Sequence, residues 1–226
     1  MRLERVGTQD SSMVEVQPSM LLLAGYTGRD QAAVAAHVAE LAKHGIAPPP
    51  RIPAAYAASA TRMTMASQIW VGGQQTSGEA EFVLVRFAGH WLVGVGSDHT
   101  DRGLESQSIA KAKQSCDKPV STAFWDLEDV RGHWDEITLT AWVGPADGEV
   151  VYQMGQLADL MTPEAIRAEL ATRVPGADDA AIFSGTLPVI GGEFNYGSSF
   201  RAELTDPVLG RSLQCGYQVR VLPELD

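Results

Sequence analysis

Within the ten residues "GSDHTDRGLE" (96–105) stand two aspartates, a histidine, an arginine and a glutamate, directly after the apolar run "HWLVGVG". A second acidic pair lies upstream in "SGEAEFVLVRF", where Glu79 and Glu81 are two residues apart. On a strand that spacing turns both carboxylates to one face, which continues through the apolar Val83 and Val85. Two acids at the head of an apolar face repel each other unless a proton or a cation lies between them. Oxygen-only ligands select a hard ion, magnesium, manganese or calcium, ahead of zinc. A further motif, "HVAE" (37–40), spaces His37 and Glu40 so that they can meet on one helix face. Such a pair suits general-base work, because the carboxylate fixes the imidazole tautomer and raises its basicity. Each motif alone also has an ordinary reading: solvated acids at a strand entry, and a core histidine satisfied by its neighbouring acid.

The elements that must position these residues are mostly strands. "PSMLLLAGY" (18–26) reads as a first buried strand. Residues 28–45 read as a helix with Asp30 as N-cap, Gly45 just past its end, and an apolar stripe of Val34, Val38 and Leu41. The prolines of "IAPPPRIPAAY" (46–56) keep that segment extended. "SQIWVGG", "EAEFVLVRFAG" and "HWLVGVG" then read as a glycine-punctuated meander, with a short helix in "LESQSIAKAKQSC". "EITLTAWVG" and "EVVYQMG" form a strand pair around the turn "PADG", and "TPEAIRAELATR" (162–173) a helix capped by Thr162 with Pro163 at its first position. "AIFSGT", "SFRAELTD" and "SLQCGYQVRVL" return to strand. The fold class expected is mainly β with a few helices (α+β), in one domain over 1–226. No βαβ alternation with a glycine-rich nucleotide loop is present.

Bulk properties narrow the partners. A chain of 226 residues, 45% hydrophobic, can bury a core without a structural metal or disulfide. Its net charge of −11 disfavours nucleic acid and anionic membranes, and no apolar run approaches a membrane span. Cys116 and Cys215 make no CxxC pair and read as free, buried thiols of a reducing compartment, so a cytoplasmic protein is expected. His99, His133 and Cys116 lack the regular spacing of a zinc site, and the five tryptophans read as packing anchors.

In their order along the chain these pieces resemble the fumarylacetoacetate hydrolase superfamily. "HVAE" (37–40) stands where that family has H-x-x-E, "APPPRIP" at its proline-rich segment, and "GEAEF" (78–82) at its Glu-x-Glu strand. "SDHTDRGLE" (97–105) stands at the signature N-D-x-[ST]-A-R-D-x-Q, "CDKP" (116–119) at its lysine stretch, and "SGTLPVIGG" (184–192) at its GTPxGvG loop. "SFRAELTDPVLGRSLQCGYQV" resembles its last strands, so the resemblance runs from about residue 30 to the C-terminus.

That resemblance implies a mixed β-sheet roll or barrel of the family's C-terminal domain type, with 28–45 as a lid-like helix, and pairing into a homodimer. It implies a Mg2+ site (or Mn2+/Ca2+) of Glu79, Glu81 and Asp98, and small-molecule substrate contacts from Arg102, Glu105, Gly185 and Thr186. Lys118 would steady negative charge, and His37 with Glu40 would activate water. The activity implied is metal-dependent hydrolysis of a C–C bond in a 1,3-dicarbonyl or acylpyruvate-like compound. Decarboxylation of a 2-oxo acid, or hydration or isomerisation of an enol acid, would use the same site, and a non-catalytic metabolite-binding domain is the remaining alternative. The chain departs from the family pattern at Asp101, Gly103 and Glu105, where alanine, aspartate and glutamine are usual, and has "TAFWDLEDV" in place of GPW.

Overall fold

The computed structural model describes residues 1–43, 48–145 and 148–225, the side chains at 37 and 40–43 excepted. The chain opens with an antiparallel hairpin, β1 (Arg2–Val6) and β2 (Ser11–Glu15), followed by β3 (Leu21–Gly25). The apolar run 18–26 is therefore the third strand, and the charged N-terminus forms a hairpin that its composition did not announce. Helix α1 (Gln31–Lys43) starts after Asp30, whose Oδ1 accepts from the backbone N–H of Ala32 and Ala33 at 2.9 and 3.1 Å, as an N-cap should. The expected terminator Gly45, like His44, lies outside the described residues.

Six strands follow, two of them only two residues long: β4 (Ala54–Ala58), β5 (Met63–Thr64), β6 (Gln68–Val71), β7 (Thr76–Ser77), β8 (Ala80–Phe87) and β9 (His90–Ser97). After β10 (Thr100–Asp101), the expected single helix splits into α2 (Arg102–Glu105) and α3 (Ile109–Ser115). Ser108 is extended between them, and its hydroxyl accepts from the Lys111 N–H, which starts a new helix. Next come β11 (Lys118–Pro119), β12 (Ala123–Asp126), α4 (Leu127–Val130), β13 (Thr138–Gly144) and β14 (Val150–Gln156). Helix α5 (Pro163–Ala171) is capped by Thr162, and β15 (Ala181–Phe183), β16 (Ser199–Asp206) and β17 (Arg211–Val221) complete the chain.

Two mixed sheets carry the structure. The larger has the order β2-β1-β12-β9-β8-β15-β3-β4 and the smaller β14-β13-β16-β17-β6, while β7/β10 and β5/β11 are two-residue ladders. Neither sheet closes on itself among the described residues, so the roll remains open. One apolar cluster lies between the sheets, with Phe82, Leu84, Val93 and Val95 facing Leu139, Phe200, Leu204 and Tyr217. A second, including Leu3, Leu23, Val83, Val85 and Phe124, covers the opposite face of the larger sheet. Strand β8 is thus buried on both faces, which is why "FVLV" is apolar throughout rather than alternating. Within the first cluster the Phe82 ring meets Trp134 edge-on, centroids 5.0 Å apart. Gly94 of β9 lets the Phe124 ring lie where a Cβ would stand 2.5 Å from it. No described helix is long and apolar enough to cross a membrane.

Candidate metal centre

The β8/β9 hairpin sets the geometry. Its ladder pairs Ala80 with Ser97 and Glu81 with Gly96, and one more hydrogen bond, Asp98 N–H to Glu79 O at 3.0 Å, extends the pairing past both strand ends. Glu79 and Asp98 therefore face each other across the hairpin, and Glu81 stands two residues along on the same face. Carboxylate oxygens of Glu79, Glu81 and Asp98 all lie within 4.8 Å of one another. Glu81 and Asp98 are essentially without solvent contact, so the three acids that the sequence pattern singled out do converge.

Cations surround two of the three. From α3, Lys113 places its Nζ 2.5 Å from Asp98 Oδ2 and 3.1 Å from Glu79 Oε2. Lys118 donates to the His99 carbonyl at 2.5 Å and lies 3.0 Å from Asp98 Oδ1. Arg102 donates from Nε to Ser77 Oγ at 2.7 Å, pairs through Nη1 with Glu105 at 3.1 Å, and reaches Glu79 Oε1 with Nη2 at 3.2 Å. The Phe194 ring covers its guanidinium at 4.2 Å. Burial alone would raise the carboxyl pKa of Asp98, but the ammonium groups of Lys113 and Lys118 outweigh it and hold Asp98 at about 2. In Glu79 the same opposition, burial against Arg102 and Lys113, also ends below the ordinary value.

Glu81 is different. Its polar partner is the Gly185 N–H, at 2.9 Å from Oε2. Burial, followed by the charges of Asp98 and Glu79, pushes its carboxyl well above the ordinary range. Gly185 can offer its N–H there because its φ is +82°, a left-handed conformation that suits glycine, and a Cβ would stand 2.3 Å from Thr27 Oγ1. The Thr186 hydroxyl donates to the Ala80 carbonyl at 2.7 Å, between the two glutamates.

The structure thus brings Glu79, Glu81, Asp98, Arg102, Glu105, Lys118, Gly185 and Thr186 into one neighbourhood. His37 and Glu40 belong to α1, but their side chains lie outside the described residues. Sequence reading missed Lys113 and Ser77. The available signal for Lys113 was its place four residues after Ile109 and next to the buried Ala112, a charged residue on an apolar helix face. His99 does not join a zinc set: its Nδ1 lies 2.9 Å from Tyr217 OH, while His133 pairs with Asp206. Burial, then the charges of Lys118 and Arg102, lower the His99 imidazole to about 3, so it is neutral. Cys116 and Cys215 are free and buried, as expected.

A family model described as a protein of unknown function (DUF2848) matches residues 24–217. No curated protein matches the sequence. Among solved structures, 2-keto-3-deoxy-D-arabinonate dehydratase complexed with magnesium and 2,5-dioxopentanoate superposes with a TM-score of 0.67 at 14% identity, covering 95% of this chain and 78% of that one. Cg1458 with an inhibitor gives a TM-score of 0.66 at 17% identity, covering 95% of this chain and 81% of that one. At such identities the likeness is one of fold.

Proposed function

From the premise that the chain belongs to the DUF2848 family and has the fold of the fumarylacetoacetate hydrolase superfamily, we propose that it is a divalent-metal-dependent enzyme acting on a 2-oxo or 1,3-dicarbonyl compound. The leading reaction is hydrolysis of a C–C bond in an acylpyruvate-like substrate. The observation that carries this reading is the convergence of Glu79, Glu81 and Asp98 within 4.8 Å, all three largely buried.

The donor set fits a hard cation. All ligand atoms are carboxylate oxygens, and Glu81 is the one acid of the three with no ion pair among the described residues. Glu79, Glu81 and Asp98 would hold Mg2+, Mn2+ or Ca2+. An ion there would polarise a substrate carbonyl and lower the cost of an enolate.

The remaining steps belong to side chains. Lys113 and Lys118 keep Asp98 ionised and add positive potential where negative charge develops in the substrate. Arg102, fixed by Ser77, Glu79 and Glu105 with Phe194 over its guanidinium, orients the substrate, and the Gly185–Thr186 loop, tied to Glu81 and Ala80, supplies the other substrate contacts. His37, with Glu40 one helical turn away on α1, takes a proton from the attacking water. Water adds to the carbonyl carbon, the C–C bond breaks, and the enolate formed on the departing fragment regains a proton at carbon.

A second reading, elimination of water from a 2-oxo-3-deoxy acid, is favoured by the superposition on a dehydratase complexed with magnesium and 2,5-dioxopentanoate. It needs the same enolate stabilisation with a different leaving group. The test is an assay of the purified chain with MgCl2 against acylpyruvates, 2-keto-3-deoxy sugar acids and oxaloacetate. Turnover is expected with magnesium, abolished by EDTA, and lowered by roughly 10²–10³-fold or more in Asp98→Ala. Undiminished turnover in both Asp98→Ala and Glu81→Ala would overturn the assignment.

A further inference from the structure

We infer that Gln153 is a positioning residue that locks the ion-binding strand to the loop carrying Gly185 and Thr186. The inference rests on the metal reading above and on a gap in the larger sheet. Strand β15 runs beside β8 only as far as Phe183, and Ser184 N–H makes the last bond, to Phe82 O at 3.1 Å. The chain then turns away at Gly185, leaving the N–H and carbonyl of Ala80 without a neighbouring strand. Ala80 is the residue between Glu79 and Glu81.

Two side chains take the place of the absent strand. Gln153, on β14 of the other sheet and fully buried, accepts from Ala80 N–H through Oε1 at 2.9 Å. Its Nε2 donates to Thr186 Oγ1 at 2.7 Å and to the Leu187 carbonyl at 2.6 Å, while Thr186 donates to the Ala80 carbonyl. An amide is suited to this place because it offers an acceptor and two donors on one planar group. Leucine would orphan the Ala80 N–H in a site closed to water. Glutamate, neutral at such a depth, would keep the acceptor and a single donor.

Both ends of this bridge belong to the site. Ala80 sets the spacing of the two glutamates, and Thr186 follows the glycine whose N–H holds Glu81. Gln153 therefore acts on the ion through the residues that hold it, as outer-shell hydrogen bonds do for metal ligands.

The test uses MgCl2 alone as probe, with calorimetric titration of the full chain and its Gln153→Leu, Gln153→Glu and Val143→Ala variants. Val143 is a core residue of β13 and controls for loss of stability alone. Gln153→Leu is expected to weaken magnesium binding about 10- to 100-fold, Gln153→Glu less, and Val143→Ala not at all. A second readout needs no ion: in EDTA, amide exchange at Ala80 and Gly185 is expected to speed more than about tenfold in Gln153→Leu, with Leu84 unchanged. Should Gln153→Leu fail to fold, Gln153→Glu carries both measurements. Wild-type affinity in the Gln153 variants, or losses that merely follow melting temperature across all three, would overturn the inference. If the wild-type chain takes up no magnesium, the metal reading falls by itself, and the exchange rates at Ala80 and Gly185 decide the role of Gln153.

Discussion

A buried carboxyl group that faces two other acids holds its proton to higher pH than usual, even against the opposing pull of a peptide N–H donor, and Glu81 is such a group. Its folded pKa lies above the ordinary 4.5, so in the ion-free chain Glu81 lowers stability progressively as pH rises from about 4.5 through the folded value. Asp98 has the opposite sign: its stabilisation is complete above its ordinary 3.8 and is lost as pH falls through about 2. A cation held by Glu79, Glu81 and Asp98 would displace the proton that Glu81 retains to higher pH than usual. Magnesium affinity is therefore expected to rise with pH, by up to about tenfold per unit while Glu81 remains protonated. Calorimetry in two buffers of different ionisation enthalpy counts the proton released. Glu81→Gln should flatten the profile, and a flat wild-type profile would refute the expectation. Lys113→Met leaves Asp98 and Glu79 without their shared ammonium, an imbalance worth about 3–5 kcal/mol for a buried pair. Urea denaturation should show a loss of that order in EDTA and partial recovery in magnesium. At this scale Glu79 and Glu81 were legible because residue type and a two-residue period suffice to put both carboxylates on one face, whereas Asp98 joined them only through the family resemblance. Lys113 was not legible, because "AKAKQS" contains two lysines, and only the packing of α3 decides that Lys111 points to solvent and Lys113 inward.

Strands and helices inherit their precision from single residues at their ends. Asp30, Ser108 and Thr162 each begin a helix by accepting backbone N–H groups, and the sequence reading recognised the first and third. It overlooked Ser108 because an apolar-periodic stretch reads straight through it. The N-terminal hairpin escaped notice for another reason: β1 buries Leu3 but exposes Arg2 and Glu4, and its place is fixed by remote pairing with β12. Gly185 is the most exacting terminus, since it ends the run of β15, adopts a φ of +82° and approaches Thr27 within van der Waals contact. Gly185→Ala combines left-handed strain with overpacking and is expected to cost about 2–4 kcal/mol. It should also weaken magnesium binding, because relief of the clash moves the N–H away from Glu81. Denaturation and titration on the same sample test both effects, and a variant that loses stability but keeps full affinity would show that the Gly185 N–H does not serve the ion.

Taken whole, the molecule holds its acids on the face of the larger sheet turned away from the smaller one, under Lys113 of α3, and several distant segments must fold before that site exists. The order of motifs along the chain made that assembly legible in outline: β8, the turn after β9, and the loop after β15 were each marked as site segments by their residues. The partnership of β14 with that loop was not legible, because it joins sheets whose contact no local pattern encodes. Since the ion has no preformed site in the unfolded chain, magnesium at about a hundred times its dissociation constant should add about 2.7 kcal/mol of stability. For a chain of 226 residues that raises Tm by about 5–10 °C, a shift that EDTA should reverse and Asp98→Ala should abolish. Scanning calorimetry measures it directly. The edge-on contact of Phe82 with Trp134 adds a practical corollary, for Phe82 is the residue next to Glu81. Any small movement of β8 on loading is transmitted to an indole within one aromatic ring, so the fold contains its own optical reporter. With the other four tryptophans changed to phenylalanine, the emission of Trp134 alone could follow cation capture in a stopped-flow cuvette, in real time and without a dye.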